Sequence, residues 1–131
     1  GFSTEGKKVA LIGHLVLQPD ALKGASEVYI IERDPKPGDY PDSACEYILP
    51  DCDIVIMTAS AAINKTLPRL LELSKNAVSI IIGPTTPLCP ELKALGIDRL
   101  SGMVVRDKAT FEAWATASHG SPYKHGDVFM I

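Results

Sequence analysis

No apolar run in this sequence is longer than a β-strand, far short of the roughly 20 residues that cross a bilayer. No basic cluster is present either. The 13 Lys and Arg residues are scattered among 16 Asp and Glu, the formal net charge is -3, and the pI is about 5.5. A nucleic-acid or anionic-membrane partner therefore has no electrostatic support. Cysteine is scarce and odd in number. Cys45, Cys52 and Cys89 fall at no framework spacing, which argues against a disulfide scaffold and fits a reduced, cytoplasmic protein. No signal-peptide pattern, internal repeat or low-complexity tract is legible.

Familiar catalytic signatures are missing too. There is no Gly-x-Ser-x-Gly elbow, no Walker lysine loop, no His-Glu-x-x-His and no pair of Cys/His groups at structural zinc spacing. The glycine fingerprint of an NAD site is also absent. After Gly13 comes HLVLQP, with no second or third glycine, so a pyrophosphate cradled against a helix N-terminus has no support. No catalytic set and no cofactor follow from the residues.

What is present is enough chain for one domain with a core: 131 residues, 46% hydrophobic and 22% charged. Short apolar runs at residues 9–13, 28–31, 54–57, 78–82 and 97–105 read as strands, the last interrupted by Gly102. Helical signals separate them. Pro19 and Asp20 suggest a short helix stopping at Gly24. Ser43-Ala44-Cys45-Glu46 has the form of a capping box before a helix that Pro50 ends. Ile63, Leu67, Leu70 and Leu71 share one helical face, and Pro68 in the first turn makes Thr66 the N-cap, with Lys75 and Asn76 closing the helix. Cys89-Pro90-Glu91 starts another short helix, with Gly96 past its end. Asp107 caps a helix whose Phe111, Trp114, Ala115 and Ser118 share a face, with Trp114 a core anchor. The closing residues 121–131 can add an edge strand.

Strands alternating with helices predict an α/β fold, a single three-layer Rossmann-like domain over residues 1–131, with a mostly parallel sheet of five or six strands. The stretch 53–86 is its clearest βαβ unit. If the five apolar strands lie in the order 3-2-1-4-5, the switch point falls between the first and fourth, and ligands bind outside the strand carboxyl ends there. Gly13 and His14 come from one strand, and Gly83, Pro84, Thr85 and Thr86 from the other. Glu32, Thr58, Ser60, Asn64 and Thr66 line the same edge. Glu32 stands 19 positions after Gly13, where a strand-end acid binds ribose hydroxyls. Its plainer reading is a solvated strand end or a partner of Arg33. Gly13 can equally be a turn residue, and the 83–87 loop a rigid turn. His14, Cys89 and His119 are the candidate metal ligands.

Together, GKKVALIGH, the Glu32 strand end, Asp53 with T-x-S-x-x-x-N-x-T from Thr58 to Thr66, Gly83-Pro84-Thr85-Thr86-Pro87 and Gly102 resemble a family. It is the putative heavy-metal chelation family of unknown function, and the resembling part is its C-terminal domain. The resemblance implies a Rossmann-like domain that usually follows an N-terminal half similar to the enolase N-terminal domain, with a site in the cleft between the halves. That half is absent from this chain, which opens at Gly1. The expected function is binding of a small anionic or nucleotide-like ligand at the carboxyl edge of the sheet. The alternatives are a metal-handling module, as the family label implies, or a non-catalytic interaction domain. A homodimer or the missing N-terminal domain would then be the partner.

Overall fold

The apolar runs assemble into one seven-stranded sheet in the computed structural model, which describes residues 3–15, 17, 20–61, 66–117 and 120–131. Its strands are β1 (Lys8–Ile12), β2 (Glu27–Glu32), β3 (Tyr40–Pro41), β4 (Ile54–Thr58), β5 (Val78–Ile82), β6 (Arg99–Val105) and β7 (Gly126–Met130). Their order is β3-β2-β1-β4-β5-β6-β7, with every pairing parallel except β6 with β7. The described helices are α1 (Cys45–Ile48), α2 (Ala59–Ala61), α3 (Leu67–Leu73) and α4 (Lys108–Ala117). None is long and apolar enough to cross a membrane.

Strands β1 and β4 are central, and their continuous apolar character follows from burial on both faces. Alternate residues feed two cores. Ala10, Ile12, Val55, Met57 and Ile81 pack on one face with α1, α3 and the 3-10 turn Pro90–Leu95. Val9, Leu11, Ile54, Ile56 and Ile80 pack on the other under Leu15, Leu17, Leu22 and Ala25. Each fully buried aliphatic side chain contributes about 1.5–3 kcal/mol of transfer free energy. The amino edge is stitched by carboxylates. Asp53 Oδ2 accepts from Lys8 N at 2.9 Å, and Asp98 Oδ2 accepts from Ser79 N at 2.8 Å.

Several expectations change. The sheet has seven strands rather than five or six, because residues 40–41 pair with β2 and the closing run adds β7. In the count of five apolar strands, the first neighbours the third, not the fourth. The order 3-2-1-4-5 holds only once Tyr40–Pro41 is counted. That pair sits in a proline- and glycine-rich loop and has no strand signature. Residues 20–24 form turns, not a helix. The capping box does not form: Ser43 lies in a 3-10 turn, no side chain caps α1, and Glu46 turns to Arg69 at 2.6 and 3.0 Å. A bidentate charged pair outcompetes one capping bond. Thr66 does precede α3, yet its hydroxyl donates backward to Ala61 O at 3.0 Å, and α3 ends at Leu73, before Lys75 and Asn76. Gly102 does not interrupt β6. Trp114 is half-buried, stacks near Phe111 at 5.3 Å, and donates from Nε1 to Gly120 O.

Candidate functional site

At the switch point between β1 and β4, a cleft of about 310 Å³ opens beyond the strand carboxyl ends. Gly13 continues β1 with φ +92, and its N–H donates to Ile31 O. A Cβ there would stand 2.7 Å from Thr58 Cγ2, so glycine permits both the left-handed turn and the close approach of the two strand ends. Thr58 ends β4, and its Oγ1 accepts from Ala61 N at 3.1 Å, which caps α2.

The remaining wall comes from β2. Glu32 ends that strand with its side chain mostly buried, accepts from Arg33 N at 3.2 Å, and lies 3.9 Å from His14 Nε2. His14 Nε2 is 3.0 Å from Asp39 Oδ2, and that carboxylate is nearly buried and also accepts from Lys36 N. A carboxylate accepts only, so Nε2 is the donor in this contact. Ser60, Thr66, Arg33 and Asp42 complete the lining. Among its described residues the cleft is thus rich in acceptors, with Arg33 as the one Lys or Arg side chain.

A second cleft of about 390 Å³ adjoins the first and shares His14, Thr58 and Ser60 with it. Gly83, Pro84 and Thr85 form one wall, and Pro122 and Tyr123 another. Burial raises the Tyr123 hydroxyl above its ordinary value. Thr86 lines neither cleft. It is buried beneath Gly83, its N–H donates to Gly83 O, and its Oγ1 has no hydrogen-bond partner among the described residues.

Six of the residues singled out from the sequence therefore meet at the first cleft: Gly13, His14, Glu32, Thr58, Ser60 and Thr66. Gly83, Pro84 and Thr85 reach the second. Asn64 and His119 lie outside the described residues. Sequence reasoning missed Asp39, Asp42 and Tyr123. Asp39 is a loop residue without a motif, and Tyr123 arrives only because β7 turns the chain back along β6.

The thiols are dispersed. Burial pushes the Cys45 and Cys52 thiols up to about 11, while Cys89 Sγ donates to Glu91 Oε2 two residues on. Among the described residues, no group of three or more His, Cys, Asp or Glu side chains is placed to hold a metal ion. Because folding raises both buried thiols, their contribution is full below the ordinary thiol value and is lost as pH rises through about 11. A thiol reagent at mildly alkaline pH should label Cys89 in the native protein, and Cys45 and Cys52 only after unfolding. Native labelling of all three at similar rates would contradict this burial.

Fold and cleft define an α/β domain with a mostly parallel sheet and a polar opening at its carboxyl edge. The chain belongs to the family described as putative heavy-metal chelation (DUF364), whose model matches residues 3–127. It is 32% identical over 108 residues to an uncharacterized protein of Methanocaldococcus jannaschii, covering 77% of this chain and 42% of that one. It is similar to the crystal structure of a DUF364 protein of unknown function from Desulfitobacterium hafniense, with 42% identity and a TM-score of 0.90, over 98% of this chain and 53% of that one. A second such structure, from Pyrococcus horikoshii, has 28% identity and a TM-score of 0.83, over 95% and 54%. The chain spans about half the length of these relatives.

Proposed function

We propose that the two adjoining clefts bind one small nucleoside- or nucleotide-like ligand. Its hydroxyl-bearing part lies at Glu32, and its ring lies toward Pro84, Pro122 and Tyr123. The observation that supports this most is the convergence of Gly13, His14, Glu32, Thr58 and Ser60 on one opening at the switch point. An acid at the end of β2 suits a pair of ribose hydroxyls, because an ionised carboxylate accepts from both. The acceptor-rich lining favours donors over a second anion at that end. The proline and tyrosine walls of the neighbouring cleft suit a planar ring. A metal-handling role draws its support from the family's description.

Calorimetry with adenosine and 2′,3′-dideoxyadenosine tests the reading. Adenosine should bind the wild type more tightly, and Glu32→Gln should weaken adenosine by about tenfold, or ~1.4 kcal/mol, while leaving the dideoxy compound unchanged. If adenosine, AMP and S-adenosylmethionine all fail to bind, the proposal is wrong.

A further inference from the structure

The two edges of the sheet are unlike. β3 is two residues long and ends in Pro41, both of which blunt an edge. β7 is five residues long, has no Lys or Pro, and has one charge, Asp127. Asp127 is occupied by Arg106, whose Nε lies 3.4 Å from it. The end of the sheet around β7 is also unfinished by its own core. Among the described residues from Met103 to Ile131, Gly126 alone is buried. Val128, Phe129 and Met130 are 57%, 49% and 47% exposed, and α4 buries no residue.

The hydrogen-bond pattern fixes which groups of β7 are free. Leu100 and Ile131 exchange both backbone bonds at 2.9 Å, and Arg106 N donates to His125 O. In an antiparallel ladder such pairs alternate. Phe129 and Asp127 therefore face β6, while Gly126, Val128 and Met130 turn their N–H and C=O groups outward. Among the described residues a single side chain reaches that row: Arg106 Nη2 touches Gly126 O at 3.5 Å, the outer limit of a hydrogen bond.

From this edge we infer that β7 pairs with β7 of a second copy of this chain, antiparallel about a two-fold axis at Val128. In that register Val128 meets Val128, and Gly126 meets Met130 on each side. Every outward N–H and C=O finds a partner. Asp127 then faces Phe129, not another Asp127. Sliding two residues to centre on Asp127 puts two carboxylates opposite one another, which is destabilising. The two-fold continues both faces of the sheet. Val128 meets Val128 and Met130 lies beside Gly126 on one, and Phe129 lies beside Asp127 on the other. The strand is its own complement in hydrogen bonding, charge and apolar surface, as an isologous interface requires.

Sedimentation equilibrium of the 131-residue chain should give twice its 14.1 kDa mass. Val128→Lys places two ammonium groups on the axis, and Val128→Glu two carboxylates. Each variant alone should be monomeric, with unchanged far-UV circular dichroism and a dimer Kd raised by about tenfold or more. An equimolar mixture of the two should recover the dimer. Amide exchange should be slow at Val128 and Met130 in the wild type and fast in either variant. A wild type that stays monomeric at NMR concentrations overturns the inference. So does a dimer that both variants leave intact. Protection of the equivalent amides only within the longer relatives would assign the edge to their additional half, and would likewise overturn it.

Discussion

Gly102→Ala should destabilise the fold by about 1–3 kcal/mol, and Gly102→Val by more. The cause is space, not backbone conformation. A Cβ at Gly102 would stand 2.6 Å from the carbonyl oxygen of Thr86 and 3.2 Å from Leu88 Cδ2. The first contact is with main chain, which cannot swing aside as a side-chain tip can. Relief requires the 83–88 segment to lift off β6, and Gly83, Pro84 and Thr85 wall the second cleft. Urea unfolding should therefore show a lower midpoint with an unchanged slope, and the same variant should weaken any ligand that uses that cleft. Gly96→Ala is the control. Nothing lies within 4 Å of a Cβ there, but φ is +102, so its cost is conformational, about 1 kcal/mol. Wild-type stability in Gly102→Ala would mean that the Thr86 carbonyl is not fixed where described.

Gly13→Ala should combine strain with loss of binding. At φ +92 an alanine costs about 1–2 kcal/mol of backbone energy. Its Cβ also meets Thr58 Cγ2 at 2.7 Å and Oγ1 at 3.0 Å. Thr58 must then rotate or retreat, which breaks its cap on Ala61 N and reshapes the part shared by both clefts. Adenosine affinity is expected to fall by about tenfold or more, a larger loss than the stability change alone produces. Thr58→Ser keeps the capping oxygen and removes Cγ2. The double variant Gly13→Ala/Thr58→Ser should recover part of the loss, a non-additivity that only neighbours in contact show. Strict additivity would separate the two residues and contradict the geometry.

The strands were legible because their apolar runs are short and continuous, the mark of burial on both faces. The runs 54–57 and 78–82 are found on that basis, whereas the closing run, read as an edge strand, forms β7 while staying exposed. Gly96 falls just past the end of the 90–95 turn, as the sequence reading places it, in a left-handed conformation, and Asp107 caps α4, with Thr110 N donating to Asp107 Oδ1. What misled was local. Tyr40–Pro41 is a strand only because β2 lends it partners, so the neighbour of β1 was miscounted by one. Ser43 and Glu46 fit a capping pattern, but Arg69 lies 23 residues from Glu46 and no local reading anticipates it. The carboxyl edge was a better guide than the strand count. Gly13, Glu32, Thr58 and Ser60 converge regardless, because every parallel strand delivers its end to the same side. Thr86 failed for the opposite reason. The rigid loop turns that hydroxyl beneath itself, under Gly83, which hydroxyl content alone does not reveal.

An amide-resolved NMR titration of this chain with adenosine tests the central claim most directly. The account predicts saturable shifts at Gly13, Glu32, Ser60 and Thr66, together with a second group at Thr85 and Tyr123. No shifts, or shifts confined to the groove that Leu67, Leu71 and Leu95 line on the far side of α3, would contradict it.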